Sequence, residues 1–147
     1  MDPLAGRGDP GWFATAVREI SQIRVRLSMT SDRAFARAYD KEPLIYTVSA
    51  GLNSCVGYVM TNCLIMESLW KNSSPIHASE FFHGACEAFD AGTAVFALMG
   101  IGKTRSLEER TVKFLRRKTE KLIVLDAAAL DLADYPAFVR PLVASFV

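Results

Sequence analysis

The stretch Pro-Leu-Ile-Tyr-Thr-Val-Ser at residues 43–49, ended by Ala50-Gly51, decides the fold class of this chain. Its apolar, β-branched and aromatic side chains form one continuous run, which is typical of a strand buried on both faces. Two later runs have the same character, Thr-Ala-Val-Phe-Ala-Leu-Met at 93–99 and Lys-Leu-Ile-Val-Leu at 121–125. Because helical patterns separate these three strands, we expect an α/β fold, a three-layer α-β-α sandwich with a mostly parallel sheet.

The first helix of this domain is expected to begin at a polar capping residue. Asn53 or Ser54 can cap a helix that runs to about Trp70, and a loop is expected at residues 71–75. The residues expected on the inner face of this helix are Cys55, Val59, Cys63, Met66 and either Leu69 or Trp70.

The second half of the chain carries two more helix signals. Ser106, with Glu109 three residues later, predicts a capping box and a helix that runs to about Thr119. Another helix is expected to begin at Asp134 and to be cut short at Val147, where the chain ends on apolar residues.

The composition is that of one globular domain with a proper core. Half of the 147 residues are hydrophobic and the formal net charge is +1, so we do not expect the concentrated basic face that nucleic-acid binding requires. No apolar run reaches the length of about 18 residues that suggests a membrane span, and no export signal opens the chain. The expected organisation is a disordered tail at residues 1–11, a helical segment at 12–39 and the α/β domain at 40–147.

The cysteines argue against a metal site and against a disulfide framework. Three is an odd number, no CxxC pair occurs, and only two histidines are present, so a zinc site is not expected. We expect Cys55, Cys63 and Cys86 to be buried, reduced thiols of a cytoplasmic protein.

Two strand-to-helix turns are candidate binding sites. Gly-Ile-Gly-Lys-Thr at 100–104 lacks the earlier glycine of a phosphate-binding loop, because that position is Ala97, so it is interpreted as a plain turn. The turn after residues 43–49 is more informative, since ligands of open α/β sheets bind at the carboxyl ends of strands. Ser49, Gly51 and Asn53 are the residues expected to bind a ligand there, and the alternative is a tight turn without a ligand.

Glu67 and His83 are the candidate catalytic residues. Glu67 ends an otherwise apolar helix, where an apolar setting would make its carboxylate a usable base, and the alternative is a glutamate that points to water. His83 follows two phenylalanines and precedes a glycine, and the alternative is a structural histidine. A glutamate and a histidine that meet in a cleft form a general acid–base pair. The neighbours His77, Glu80 and Glu87 could orient or replace either one.

The pattern around these residues resembles the second sugar isomerase (SIS) domain of the double-SIS phosphosugar enzymes. Met66-Glu67 is followed at residues 76–87 by Ile-His-Ala-Ser-Glu-Phe-Phe-His-Gly-Ala-Cys-Glu, which places His83 sixteen residues after Glu67. The likeness extends from about Pro43 through Asp126 and includes an Arg-x-Leu-x-Glu-Arg helix. It is stronger for the fructosamine-6-phosphate deglycases than for the related isomerase half of glucosamine-6-phosphate synthase.

The resemblance implies a function and a role for each residue. Glu67 matches the base that acts at the carbons next to the sugar carbonyl, and His83 matches the acid that reaches into the active site of a neighbouring subunit. The expected reaction cleaves a 6-phosphorylated fructosamine to glucose 6-phosphate and an amine, without a metal or organic cofactor. The alternatives are a ketose–aldose isomerase domain and a non-catalytic sugar-phosphate-binding or dimerisation module.

The chain also departs from the family pattern. Ala85 stands where the family has proline after His-Gly, and we expect these 147 residues to lack the first SIS domain, which holds the sugar phosphate in the family. We therefore expect an incomplete SIS-type domain, truncated at its carboxyl end. The expected partners are a phosphorylated sugar or sugar–amine adduct and further copies of the chain, with neither nucleic acid nor membrane.

Overall fold

The computed structural model describes residues 39–133, 135 and 137–146. The predicted tail at 1–11 and all but the last residue of the predicted helical segment at 12–39 lie outside the described residues. The strands are β1 (Leu44–Ser49), β2 (Asn72–His77), β3 (Ala94–Met99) and β4 (Leu122–Asp126). The helices are α1 (Asn53–Val59), which continues as a π-helix (Met60–Ser68), α2 (Arg105–Lys118) and α3 (Arg140–Phe146), with single 3₁₀ turns at Phe81–His83, Ala85–Ala88 and Ala127–Ala129.

The strands form one parallel sheet in the order β2-β1-β3-β4. The three strands predicted from apolar runs are confirmed within one residue at each end. The predicted loop at 71–75 is wrong, because β2 occupies most of it and makes the sheet four-stranded. Its sequence, Asn-Ser-Ser-Pro-Ile-His, lacks an apolar run because β2 is an edge strand, where polar residues and a proline are tolerated.

The two faces of the sheet are covered by different elements. On the face that we call the α1 face, Ile45 and Ala94 are buried against Ile65 of the π-helix. On the opposite face, the α2 face, Val48 and Val95 pack with Leu115 of α2. The connection from β2 to β3 crosses this second face and adds buried aromatic rings to its core. The fold is the predicted α/β sandwich, with helical layers on both sides of the sheet.

The predicted inner face of the first helix is wrong. The residues that face β1 are Asn53, Gly57, Thr61 and Ile65, which recur every four residues. The residues expected there are exposed instead, namely Cys55, Val59, Cys63, Met66, Leu69 and Trp70. The expectation of three buried thiols is therefore also wrong, because Cys86 alone is buried.

A polar contact explains why small residues face the sheet at this point. Thr47 and Thr61 are both fully buried; the Thr61 hydroxyl donates to the carbonyl of Gly57 at 2.7 Å and accepts a hydrogen bond from the Thr47 hydroxyl. A Cβ atom added to Gly57 would lie 2.5 Å from Oγ of Ser49. The helix thus packs too close to β1 for a large side chain at Gly57. A prediction based on hydrophobicity alone therefore places the wrong residues on the inner face of this helix.

The other two helices also differ from prediction at their beginnings. The predicted capping box is wrong, because α2 begins at Arg105, so Ser106 lies inside its first turn, and the carboxylate of Glu109 binds Arg105 instead. The last helix begins at Arg140, and the predicted beginning at Asp134 lies outside the described residues. Within the described part of the chain, no helix has both the length and the apolar character to cross a membrane.

Candidate functional site

The carboxyl ends of all four strands lie along one edge of the sheet, since every pair is parallel. From β1 the chain continues to β2 on one side, and from β3 it continues to β4 on the other. The strand order therefore reverses between β1 and β3, which is where open α/β sheets form a ligand-binding crevice. The place where this rule leads us to expect the crevice is bordered by residues 50–52, here called the β1 loop, and by residues 100–104, here called the β3 loop.

The two loops touch at positions where the backbone needs glycine. Gly51 has a φ of +56°, and a Cβ atom added to it would lie 2.5 Å from Oγ1 of Thr104. A Cβ atom added to Gly100 would lie 3.3 Å from the amide nitrogen Nδ2 of Asn53. The close approach of the two loops thus requires glycine at position 51, while Gly100 packs tightly against Asn53.

A buried carboxyl group lies beside both loops. Glu108, in the first turn of α2, is 2% exposed, and its Oε2 accepts a hydrogen bond of 2.8 Å from the backbone N–H of Gly100. The backbone N–H of Ala50 also interacts with this carboxyl group. Burial raises the pKa of Glu108, while these N–H groups and the charge of Arg105 oppose the shift.

An ion pair fixes the β3 loop to the end of β4. Arg105 donates to both carboxylate oxygens of Asp126 at 2.8 Å, in the bidentate arrangement that suits a guanidinium. Its Nη1 also donates to the carbonyl of Gly100 at 2.8 Å. The hydrogen bonds from Arg105 hold the pKa of Asp126 below its usual value. One side chain therefore connects α2, the β3 loop and β4.

The predicted binding residues occupy two different positions. Gly51 is exposed in the β1 loop, and Asn53 is buried next to the β3 loop, so both border the crevice. The side chain of Ser49 is buried against Gly57 on the α1 face, away from the crevice. The sequence pattern thus selects the right turn, but alternation along β1 turns Ser49 under the helix.

Residues 77–84 begin at the carboxyl end of β2 and carry a chain of polar contacts. The Nδ1 atom of His77 lies 2.7 Å from Oγ of Ser79 and accepts a hydrogen bond from its backbone N–H. The Ser79 hydroxyl donates to Oε1 of Glu80 at 3.2 Å, and Oε2 of Glu80 lies 3.7 Å from Nδ1 of His83. The two histidines are therefore linked by contacts through Ser79 and Glu80. Ser79 is half-buried, and the other three residues are exposed.

Aromatic packing fixes the backbone that carries His83. Phe81 is fully buried, and its ring lies 5.2 Å from that of Phe89 and 5.6 Å from that of Phe114 on α2. Gly84 follows with a φ of +139°, a conformation that residues with a side chain rarely adopt. The His83 side chain projects from this anchored turn and is 73% exposed.

Glu67 and His83 lie on opposite sides of the sheet. Glu67 is exposed on the π-helix, which packs on the α1 face through Ile65. His83 follows Phe81, which packs on the α2 face. The structure therefore does not bring these two side chains together within one chain, because the sheet lies between them.

The sequence patterns did not single out Glu108 as a site residue. It lies on the same helical stripe as the buried residues Val112 and Leu115, and an acidic residue on an apolar stripe is the signal that could have identified it. Among the described residues, no group of three His, Cys, Asp or Glu side chains is arranged to hold a metal ion.

Sequence comparison relates the chain to enzymes that act on sugar–amine adducts, although no family model matches. It is 39% identical over 125 residues to the fructosamine deglycase FrlB of Bacillus subtilis, which takes in 81% of this chain and 38% of that protein. It is 33% identical over 94 residues to the fructoselysine 6-phosphate deglycase of Escherichia coli K12, which takes in 64% of this chain and 28% of that protein. The chain thus spans roughly a third of the length of these relatives.

Structural comparison gives the same grouping. A candidate phosphosugar isomerase of Bacillus subtilis superimposes with a TM-score of 0.75 and 37% identity, over 91% of this chain and 40% of its own. A candidate phosphosugar isomerase of Salmonella typhimurium superimposes with a TM-score of 0.79 and 26% identity. The superposition takes in 97% of this chain and 46% of that one. The C-terminal domain of the glucosamine-fructose-6-phosphate aminotransferase of Francisella tularensis shares the fold, with a TM-score of 0.60 and 13% identity. This superposition takes in 94% of this chain and 45% of that one. The resemblance to a second SIS domain of phosphosugar enzymes is therefore confirmed.

Proposed function

Because this chain is homologous to part of the fructosamine and fructoselysine 6-phosphate deglycases, we propose that it is the SIS-type portion of a phosphosugar deglycase. The proposed reaction cleaves a 6-phosphorylated fructosamine to glucose 6-phosphate and an amine. The 39% identity to a fructosamine deglycase is the observation that carries the proposal. A match to 81% of a 147-residue chain necessarily includes its middle, and so includes Glu67, residues 77–84 and Glu108.

We assign the base of this reaction to Glu67 and the acid to His83. Moving a proton between C1 and C2 of the sugar requires a carboxylate within reach of both carbons, and breaking the carbon–nitrogen bond requires a separate acid. The carboxylate of Glu80 supports a role for His83, since its Oε2 lies 3.7 Å from Nδ1 of the imidazole. Because the sheet separates Glu67 from His83, we propose that each active site takes its glutamate from one chain and its histidine from another.

We propose that the sugar binds in the crevice between the β1 and β3 loops. Gly51 leaves the backbone accessible there, Asn53 offers an amide, and Ser49 contributes through its backbone rather than its buried side chain. Exposed apolar residues along and just after the first helix support assembly into homodimers, since such surfaces are usually covered by a partner. They are Tyr58, Val59, Leu64, Met66, Leu69 and Trp70. A cytoplasmic location, where the exposed thiols stay reduced, completes the proposal.

A ketose–aldose isomerase is the second candidate function. It is favoured by the 37% identity to a candidate phosphosugar isomerase, and it needs the same proton transfer between two carbons. A sugar-phosphate-binding module without catalysis is the third candidate, and the separation of Glu67 from His83 favours it for an isolated chain.

An activity assay separates these candidates. The chain is incubated with fructosamine 6-phosphate or with fructose 6-phosphate, and glucose 6-phosphate is measured with a coupled dehydrogenase. The variants Glu67→Gln and His83→Ala are expected to lose the activity, whereas the control Glu120→Gln, at an exposed position just after α2, should retain it. Release of glucose 6-phosphate that neither variant reduces would refute the catalytic assignment. No release, with sugar phosphate still raising the melting temperature, would support the binding module.

A further inference from the structure

The carboxyl group of Glu108 is hydrogen-bonded to the turn after β3 and lies near the turn after β1. Gly100 comes directly after β3, and its backbone N–H donates to Oε2 at 2.8 Å. Ala50 comes directly after β1, and its backbone N–H interacts with the same carboxyl group. One side chain of α2 thus interacts with both loops that border the crevice.

A buried carboxyl group is a costly way to connect two loops. Glu108 is 2% exposed, and its Oε1 has no hydrogen-bond partner in the described part of the chain. The nearest guanidinium, that of Arg105, is already bonded to Asp126, Glu109 and the Gly100 carbonyl. An uncharged side chain would fill the space with a smaller desolvation penalty. The carboxyl group therefore has a use beyond filling the core.

The unpartnered oxygen lies where the two loops and Asn53 meet. A Cβ atom added to Gly100 would be 3.8 Å from Oε1 of Glu108 and 3.3 Å from Nδ2 of Asn53. Asn53 is itself buried and begins α1 directly behind the β1 loop. The Glu108 carboxyl, Gly100 and Asn53 are therefore close neighbours at the edge of the expected crevice.

We propose that Glu108 is a positioning residue, which holds the β1 and β3 loops at the separation at which the crevice binds a phosphorylated sugar. The identity of the ligand rests on the function proposed above, whereas the contact with both loops does not. Glu108 does not touch the reacting atoms in this proposal, and it acts through the backbone of Ala50 and Gly100.

Amide hydrogen exchange tests the contact without any ligand. The variants are Glu108→Gln, which keeps the shape and one acceptor, and Glu108→Ala, which keeps neither, with the exposed Glu120→Gln as control. Exchange at both Ala50 and Gly100 is expected to accelerate by roughly tenfold in Glu108→Gln and further in Glu108→Ala. Unchanged exchange at Ala50 in a folded variant would overturn the proposal, since the carboxyl would then not hold the β1 loop. If Glu108→Ala does not fold, the exchange rates of Ala50 and Gly100 in Glu108→Gln alone test the proposal.

Calorimetric titration with glucose 6-phosphate tests the consequence for binding. At a temperature where all variants are fully folded, the affinity is expected to fall in the order wild type, Glu108→Gln, Glu108→Ala, by roughly tenfold at each step. A merely structural role would lower the melting temperature and leave the affinity of the folded protein unchanged, which would overturn the positioning role. If the wild-type chain does not bind glucose 6-phosphate, the proposed function fails, and amide exchange still decides the role of Glu108.

Discussion

Replacing Gly51 by alanine should destabilise the protein for two separable reasons. The φ of +56° costs an alanine about 1–2 kcal/mol relative to its preferred backbone conformations. The new methyl group would also lie 2.5 Å from Oγ1 of Thr104, and relieving such an overlap costs about 1–3 kcal/mol. The expected total is about 2–5 kcal/mol, which does not exceed the roughly 5–15 kcal/mol by which an ordinary domain is stable.

A double-mutant cycle with Thr104→Ala separates these two contributions. The Thr104 atoms that crowd the new methyl group are Oγ1 and Cγ2, and removing them leaves only Cβ, at 3.4 Å. The cost of Gly51→Ala should therefore fall to about 1–2 kcal/mol in the Thr104→Ala background, which is the backbone contribution alone. The free energies of unfolding are measured by urea denaturation followed by circular dichroism.

Gly102→Ala is the matched control for this cycle. Gly102 lies in the β3 loop, has no positive φ, and a Cβ atom added to it would meet nothing within 4 Å. Alanine there should change the free energy of unfolding by less than about 0.5 kcal/mol. The described contact between the loops would be refuted if Gly51→Ala cost no more than Gly102→Ala, or if Thr104→Ala left the cost of Gly51→Ala unchanged.

Three further predictions concern the core, acid stability and the assembly of the active site. Phe81→Ala should lower the free energy of unfolding by about 3–5 kcal/mol, because a fully buried ring is removed, and urea denaturation would measure it. Because its pKa is lowered in the folded state, Asp126 stabilises the fold at any pH above the unfolded-state pKa of the carboxyl group. This stabilisation is lost as the pH falls through the folded-state pKa. The difference in melting temperature between wild type and Asp126→Asn should therefore shrink on acidification. If active sites are shared between two chains, mixing inactive Glu67→Gln with inactive His83→Ala should restore about a quarter of the wild-type deglycase activity, since half of randomly mixed dimers hold one intact site. No recovery after mixing, with dimers verified by light scattering, would contradict the shared site.

Local sequence patterns were sufficient for the elements whose burial is uniform. β1, β3 and β4 are buried or partly buried between two helical layers, so their apolar runs identify them. β2 was missed because its residues are mostly polar and none is fully buried, whereas β4, the other edge strand, keeps an apolar run. The stripe of α1 was misassigned because its contact with the sheet is made by Gly57 and two threonine hydroxyls, whose chemistry gives no hydrophobic signal.

The candidate site was predictable in its residue types and not in its arrangement. The spacing of Glu67 and His83 drew attention to both, but the faces they occupy depend on β2 lying outside β1. That order sends the connection from β2 to β3 back across the α2 face, and no local pattern specifies it. Glu108 gives no motif of its own, because its hydrogen bond to Gly100 forms only when the β3 loop folds back onto α2.

The position of β1 in the sheet also determines when this chain can fold during synthesis. One edge of β1 pairs with β2, which follows about 28 residues later, and the other pairs with β3, about 50 residues later. A nascent chain that has emerged only as far as β2 already contains the helix that covers the α1 face, but it exposes the inner edge of β1 and its α2 face. Because non-local parallel pairs form slowly, this interval favours association with other chains. Chaperone demand should therefore peak before residues 94–97 leave the ribosome and fall once they pair with β1.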